Sequence, residues 1–454
     1  MDILLNIVND IIGLGAAVFL PVVMFIIGMI FGLKPGKAFR AGLMLGIAFT
    51  AISIFISALL IGQIAPAAQA AIKGAGSNLQ FIDVGWPAAS MISWAWPLAA
   101  TIFPLQIIIN LIMLWRHWTD VLNVDLWNVW QKIFFASVTY IFTQNLLLAY
   151  FVASLLVIIE LKLGDYTAEQ VQDSTGIPGV CCPHVGMTHL LAIMPLIWII
   201  DRIPGLKNTT FDAEYLKNKI GFLGEPAIIG AIMGIIIGVI GGYNFSKTAQ
   251  LAVSVATCML VLPRIAALFS EALVPISEAA TQFMKKKFPD RKCYIGLDWP
   301  FLTANPAVIT CSVLLIPILV LLAIILPGNK TLPFGDVANF GAAIIGPAIL
   351  FRGDILKSLL ADIPLLVTLL YSSTAIGSTF TQLAINVGFK FPEGAAAITY
   401  MKAGAVIWSV FEAVQYHWII ALPLFILFIV SFIILKKCYS DPYKKAKAAQ
   451  QQEM

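Results

Sequence analysis

Two aspartates lie beside the same pair of residues in distant parts of the chain. Asp83 shortly precedes Trp86-Pro87, and Asp298 directly precedes Trp299-Pro300. Both carboxylates border long apolar stretches, where a charged side chain is costly unless it faces water, a partner or a ligand. Polyols are bound by carboxylates and amides that exchange hydrogen bonds with hydroxyl groups, with an aromatic ring against the C–H face. Sugars are bound in the same way, so we predict contacts with a sugar or polyol from Asp83, Trp86 and Asp298, with helix capping as the alternative role of each aspartate.

Four further polar residues in apolar stretches are candidates for the same site. His184 offers an imidazole that can donate to or accept from a hydroxyl group, or accept a proton. Tyr140 and Gln144 are four residues apart and share one face of a predicted helix. Asn305, before Pro306, is expected to hold an unwound segment whose free backbone groups address a ligand. For His184, Tyr140 and Gln144 the alternative role is hydrogen bonding between packed helices.

Motifs of a self-contained membrane enzyme or an ATP-driven pump subunit do not occur in the sequence. It contains no nucleophile elbow, P-loop, zinc motif or dinucleotide fingerprint. The six cysteines are scattered, without zinc-ligand spacing or a disulfide framework. We therefore expect no cofactor, no bound metal and no covalent catalytic residue.

The composition places these candidate residues in a membrane protein. Of 454 residues, 60% are apolar and only 11% are charged, whereas about a quarter of a soluble chain is charged. The mean hydropathy is +0.91. Basic clusters at 285–292 and 436–447 are typical of cytoplasmic membrane anchors rather than nucleic-acid sites, so no nucleic-acid partner is expected.

Eleven stretches contain no Asp, Glu, Lys or Arg and are long enough to cross or enter a bilayer. They are 11–33, 41–72, 84–115, 133–159, 174–200, 226–246, 248–263, 301–329, 337–351, 363–389 and 413–435. Several contain Pro, Gly, Ser and Asn and exceed the roughly 20 residues that a helix needs to span the bilayer, which is typical of broken or re-entrant segments beside a cavity. The sequence thus predicts an all-α polytopic membrane protein with about 11 transmembrane helices plus re-entrant segments.

Basic residues orient these predicted spans, because Lys and Arg are retained on the cytoplasmic side. Lys34, Lys37 and Arg40, the 285–292 cluster and the carboxy-terminal lysines are all placed in the cytoplasm. The amino terminus is then external and the carboxy terminus cytoplasmic. Segment 160–173 is predicted to be an external acidic loop, and 390–412 an external loop or a re-entrant hairpin.

Three sequence landmarks recur at an almost constant separation. A Gly-x-x-x-Gly pair precedes Lys37 and again Lys247, 210 residues later; the Trp-Pro pairs are 213 residues apart, and Asp125 and Asp336 are 211 residues apart. Repeats of opposite topology are common in secondary transporters. We predict two five-span inverted repeats, 1–205 and 206–400, followed by a final helix and basic tail at 401–454; chance spacing is the alternative.

Motifs spread over nearly the whole chain resemble one family. They are Asp83-Val-Gly-Trp-Pro87, Asn123-Val-Asp-Leu-Trp-Asn-Val-Trp130, Leu163-Gly-Asp165, Gly224-Glu-Pro226, Ile295-Gly-Leu-Asp298, Pro327-Gly-Asn and Leu332-Pro-Phe-Gly-Asp336. Together they resemble the galactitol-type enzyme IIC permeases of bacterial phosphoenolpyruvate-dependent phosphotransferase systems, which are grouped with ascorbate-type permeases.

The resemblance implies an inner-membrane homodimer in which each subunit has a dimerisation scaffold and a mobile core that carries the sugar as an elevator. It also implies separate cytoplasmic IIA and IIB partners, which pass phosphate from a histidine to a cysteine and then to the sugar. Histidines are implied at three positions that here are Gln131, Tyr140 and Asn305. Another hexitol, a pentitol or a related sugar is therefore a candidate substrate beside galactitol.

Two functions of other classes stay open on the residues alone. An ion-coupled secondary transporter also combines inverted repeats with carboxylates at membrane depth. A membrane enzyme acting on a lipid or isoprenoid is suggested by paired aspartates, but the sequence lacks an Asp-rich metal motif.

Overall fold

The computed structural model describes residues 16–55, 79–125, 128–207, 225–287, 292–333, 341–391 and 396–443, with a few single residues and pairs between these segments. Among them, four helices are long and apolar enough to cross a membrane: Leu146–Thr175, Pro306–Ile325, Ile355–Asn386 and Trp418–Tyr443. Shorter apolar helices accompany them. The prediction of a mostly helical membrane protein is confirmed.

Helices and short strands alternate along both halves of the chain. The first half contains α1 (Ala16–Ile30), α2 (Pro35–Phe55), β1 (Phe81–Asp83), α3 (Gly85–Trp94), α4 (Ala99–Trp115), β2 (Val121–Asn123), α5 (Val129–Thr143), α6 (Leu146–Thr175), β3 (Val180–Cys181), α7 (Val185–Thr188) and α8 (Leu190–Ile200). The second half contains α9 (Pro226–Ile240), α10 (Phe245–Lys287), β4 (Tyr294–Gly296), a 3-10 turn (Trp299–Ala304), α11 (Pro306–Ile325), β5 (Thr331–Leu332), α12 (Gly341–Leu350), α13 (Ile355–Asn386), β6 (Ala397–Thr399), a 3-10 turn (Met401–Ala403), α14 (Gly404–Val414) and α15 (Trp418–Ile434). A π-helical turn, Leu435–Ser440, extends α15.

Two helical hairpins, α1–α2 and α9–α10, pack against each other. The turns inside them contain Gly32 and Gly242, both at positive φ, 85° and 68°, where other residues are strained. On α9, a Cβ atom at Gly234 would lie 2.5 Å from the Cα atom of Ala252 on α10. Glycine therefore lets α9 and α10 approach closely, as at small-residue interfaces of membrane helices.

The strands form two three-stranded parallel sheets, one in the order β5-β1-β6 and the other in the order β2-β4-β3. Each sheet takes its middle strand from one half of the chain and both outer strands from the other half. Phe81 pairs with Thr331 and Ala397 in the first sheet, and Ile295 pairs with Leu122 and Val180 in the second. The sequence did not predict these strands, since two or three residues are too few for a recognisable alternation of apolar and polar residues.

The strands of the two halves follow one another in the same order. β1 and β4 begin at residues 81 and 294, β2 and β5 at 121 and 331, and β3 and β6 at 180 and 397. Replacing every strand by its counterpart converts one sheet into the other. The two halves are therefore interlocked through both sheets.

Residues 160–173 differ from the sequence prediction, because they continue α6 rather than forming a loop. Glu169 lies 3.2 Å from Lys292, a member of the basic cluster assigned to the cytoplasm, so the external placement of this segment is also wrong. The carboxylate of Glu169 accepts a hydrogen bond from the Tyr294 phenol at 2.8 Å. Burial, together with this carboxylate, raises the pKa of Tyr294, so the phenol remains a donor. Within 390–412, Lys402 is only 4% exposed. Of the two alternatives for this segment, burial is incompatible with an exposed loop and compatible with a re-entrant hairpin.

Candidate functional site

Both sheets present ionisable side chains at the carboxyl ends of their strands. Because the strands of each sheet are parallel, their carboxyl ends meet at one edge. The edge of the first sheet carries Asp83, Asp336 and Lys402, and is called the lysine edge below. The edge of the second sheet carries Asp125, Asp298 and His184, and is called the histidine edge.

At the lysine edge, Asp83 binds the backbone of all three strand ends. Its Oδ1 accepts from the N–H groups of Gly85 at 3.3 Å and Met401 at 2.9 Å, and its Oδ2 accepts from that of Asp336 at 2.8 Å. The residue is completely buried. This geometry matches the capping role, in which the carboxylate holds the sheet edge together.

Asp336 connects the remaining groups of the lysine edge. Its Oδ1 lies 3.0 Å from the Lys402 ammonium and accepts from the Trp86 N–H at 3.1 Å. Its Oδ2 has no hydrogen-bond partner among the described residues, although the side chain is fully buried. A buried acceptor without a partner is costly, so this oxygen is a candidate ligand contact. Trp86 itself is half-buried against the core.

At the histidine edge, backbone geometry fixes the tautomer of His184. Nδ1 accepts from the Gly186 N–H at 3.0 Å, so the proton of the neutral ring is on Nε2. The side-chain amide of Gln131 lies 2.8 Å from Nε2. Because Nε2 carries the proton and donates it, the amide atom that faces Nε2 must be an acceptor. The amide oxygen of Gln131 must therefore face His184, and its NH2 group takes the amide position that has no partner among the residues the structure describes.

The Asp298 carboxylate completes the histidine edge. Its Oδ1 lies 3.7 Å from His184 Nε2 and accepts from the Trp299 N–H at 2.7 Å. Asp125 accepts from the side chain of Asn128 at 2.8 Å. The two edges adjoin, because the ring of Trp130, next to Gln131, packs against that of Tyr400, next to Met401, with centroids 5.7 Å apart. We treat them together as the central site below.

Tyr140 and Gln144 are not brought to the central site. Gln131 lies in the first turn of α5 and Gln144 caps its carboxyl end; at 1.5 Å per residue this separates them by about 20 Å. Gln144 is exposed and donates to the Ile141 carbonyl. Tyr140 packs on Trp96, with ring centroids 6.0 Å apart.

Asn305 lies at a different point, at the start of α11. Its side-chain oxygen caps the helix by accepting from the Ala307 N–H at 2.9 Å, and its amide donates to Ser174 Oγ at 2.8 Å. It lines a separate cavity together with Ser174 and Arg352. Of the seven predicted site residues, the structure therefore brings His184 and Asp298 together, with Asp83 and Trp86 on the neighbouring edge.

Several members of the central site were not chosen as site residues from the sequence. Asp125 and Asp336 stood out only as repeated landmarks, and Lys402 was assigned to an external loop or a re-entrant hairpin. Gln131 attracted notice only as a departure from the family resemblance. A charge-free stretch gives no signal for a glutamine. For Asp125, Asp336 and Lys402 the charge itself is a signal, but their placement at strand ends could not be seen, because the strands are too short to predict.

The site offers hydrogen-bonding groups of both kinds. Asp298 and the open oxygen of Asp336 are acceptors, while the Gln131 amide is a donor. Within the described parts of the chain, no three His, Cys, Asp or Glu side chains are grouped to hold a metal ion. The arrangement is suited to an uncharged molecule with several hydroxyl groups.

Comparison with known proteins adds a family relation. Residues 10–394 match the family model EIIC-GAT, described as PTS system sugar-specific permease component. The chain is 33% identical over 408 residues to the PTS system galactitol-specific EIIC component of Escherichia coli K12, covering 90% of each chain. It is also 33% identical over 404 residues to a putative permease IIC component of the same strain, covering 88% of this chain and 92% of the relative.

Proposed function

The chain belongs to the EIIC-GAT family of phosphotransferase-system permease components, and from that premise we propose that the central site binds a hexitol such as galactitol. The protein is an integral inner-membrane subunit of a sugar phosphotransferase system. Its cytoplasmic partners are IIA and IIB proteins. The galactitol-specific relative supports a sugar alcohol as the substrate.

The observation that carries this proposal is a pair of buried polar atoms at the central site that have no hydrogen-bond partner in the described part of the chain. The outer oxygen of Asp336 and the free end of the Gln131 amide are an acceptor and a donor, and each regains a hydrogen bond when a hydroxyl group arrives. Asp298 accepts from a further hydroxyl group. Trp86 supplies an aromatic face for the C–H side of the ligand.

His184 acts at this site as an oriented donor rather than as a proton acceptor. Its Nδ1 is occupied by the Gly186 N–H, and Nε2 already carries the proton. Asp298 is therefore the group that takes up or orients a hydroxyl proton. Phosphoryl transfer depends mainly on positioning of the nucleophile and on electrostatics. This subunit holds the hydroxyl group, and the IIB partner brings the phosphorus.

The finer architecture is also part of the proposal: about 11 crossings, two inverted repeats, a homodimer and an elevator motion. The strands that recur in order in both halves support the repeats. The packed hairpins α1–α2 and α9–α10 are suited to the scaffold, and the two sheets with their helices to the mobile core. The boundaries 1–205, 206–400 and 401–454 divide the chain by repeat, while scaffold and core each combine both halves.

Uptake of labelled galactitol and other polyols into right-side-out membrane vesicles tests the function. With phosphorylated IIB enclosed in the vesicles, the product inside should be a phosphate ester, and without IIB transport should be slow. Gln131→Leu should reduce uptake, whereas Gln382→Leu, at an exposed position on α13, should not. Accumulation of unmodified polyol driven by an ion gradient would instead establish the ion-coupled carrier.

A further inference from the structure

A cavity of about 480 Å³ lies apart from the central site where α6, α11 and the loop between α12 and α13 meet the carboxy-terminal segment. This volume is within the range of small-molecule sites. The basic carboxy-terminal residues follow directly after Tyr443, so the cavity opens on the cytoplasmic side. We call it the cytoplasmic cavity.

The floor of the cytoplasmic cavity is polar and buried. Gln170 is 4% exposed and Asn305 is 7% exposed. The Gln170 amide nitrogen donates to the Tyr439 carbonyl at 3.3 Å, which fixes the amide, but its oxygen has no hydrogen-bond partner among the described residues. A buried acceptor of this kind indicates a missing donor. That donor must come from whatever fills the cavity.

The mouth of the cavity is formed by three side chains that hold one another. The Tyr443 hydroxyl donates to Asp173 at 2.6 Å. The Arg352 guanidinium lies over the Tyr443 ring, 5.0 Å from its centre. Arg352 has a φ of 54°, a conformation that is strained for a residue with a side chain and is found where the surroundings enforce it. The mouth is thus built around the guanidinium.

The charges of the cavity discriminate between possible ligands. Asp173 and Asp212 line it with Arg352 as the cation, so the ionised lining is net negative. A phosphate ester, with up to two negative charges, is repelled by such a lining. A neutral polyol meets carboxylate, amide and guanidinium groups that all form hydrogen bonds with hydroxyl groups.

We propose that the cytoplasmic cavity is a second binding site, selective for the uncharged polyol over its phosphate ester. The inference rests on the proposed function, because it takes the same ligand class. Asp298 and Asn305 are joined by the six-residue 3-10 turn, whose rise of about 2 Å per residue places the cavity roughly 12 Å from the central site. The alcohol is held there near the cytoplasm, while the phosphorylated product is released.

Protection of an introduced thiol tests the second site directly. Ser174→Cys places a reporter in the cavity wall, and peptide mass spectrometry follows its alkylation by iodoacetamide without interference from the native cysteines. Galactitol should slow the alkylation, both in this background and when Gln131→Leu disables the central site. Gln170→Leu should raise the half-protecting concentration about fivefold, the loss of one neutral hydrogen bond. Gln382→Leu should leave it unchanged.

The half-protecting concentration of the galactitol phosphate monoester should be about tenfold higher than that of galactitol. This difference should become smaller as the salt concentration is raised. Protection that disappears with Gln131→Leu would mean that the signal comes from the central site, and would overturn the second site. Equal protection by alcohol and ester would overturn the selectivity. Normal galactitol uptake without protection would also refute the cavity, while leaving the proposed function intact.

Discussion

Asp83→Asn and Asp298→Asn should affect different properties of the protein, the first its stability and the second its transport activity. Each substitution removes one charge and keeps the size of the side chain. Asp83→Asn should destabilise the protein, because the Asp83 carboxylate holds three backbone N–H groups with two oxygens. Asp298→Asn should spare stability and impair transport, because among the described residues the backbone bond that its carboxylate accepts comes from Trp299.

The magnitudes follow from the hydrogen bonds. An asparagine at position 83 keeps the bonds from Gly85 and Met401, but it turns an NH2 group toward the Asp336 N–H. Losing a charged hydrogen bond and stranding a buried donor costs about 2–4 kcal/mol. At position 298 the remaining oxygen still caps Trp299, so the stability change stays below about 1 kcal/mol. Loss of a charged acceptor for a hydroxyl group lowers kcat/KM by about 10- to 100-fold.

Thermal unfolding of both variants in nanodiscs, measured beside IIB-dependent galactitol phosphorylation, separates the two effects. The Asp83 variant should melt several degrees lower, and its activity should fall in proportion to the folded fraction. The Asp298 variant should melt normally with low activity. The reasoning is refuted if Asp83→Asn melts normally and loses transport, or if Asp298→Asn is the less stable of the two.

Two further substitutions test buried charges. The Lys402 ammonium lies 3.0 Å from the Asp336 carboxylate and both side chains are buried, so Lys402→Met leaves that carboxylate unpaired and should lower the free energy of unfolding by about 3–5 kcal/mol. Adding Asp336→Asn should recover most of the melting temperature; a double variant no more stable than Lys402→Met would show that the pair is not the cause. Asp362 on α13 is fully buried with neither oxygen bonded among the described residues, so Asp362→Leu should raise the melting temperature without loss of IIB-dependent uptake, whereas loss of uptake in a stabilised variant would indicate coupling to an ion.

The sequence was informative wherever a charge interrupts an apolar stretch. Asp83 and Asp298 were both selected on that basis, and both lie at sheet edges. Their surroundings differ, since Asp83 precedes a glycine by two positions, whereas Asp298 follows a glycine by two. The Asp83 carboxylate accepts hydrogen bonds from three backbone N–H groups. The Asp298 carboxylate lies beside His184. Spacing alone cannot distinguish these outcomes.

Residues at long distances in sequence were the difficult part. Lys402 on its Gly/Ala-rich background carries no sign that its partner is Asp336, since the pairing depends on β1, β5 and β6 meeting in one sheet. The helical face shared by Tyr140 and Gln144 was a correct periodicity argument, but it does not show which end of the helix reaches the site. The end of α5 that reaches the site is set by the contact between Gln131 and His184, and this tertiary contact cannot be seen in the sequence.

The interlocked sheets have a consequence for biosynthesis. β1 ends at Asp83, but its neighbour β6 begins only at Ala397. At about 5–20 residues per second, the ribosome needs roughly 16–63 s to make the intervening chain. Throughout that interval at least one side of β1 lacks its partner strand, because only β5 can pair with it before β6 is made. Exposed backbone groups are costly in the bilayer, so the first half of the molecule completes its hydrogen bonds only after the second half has been made.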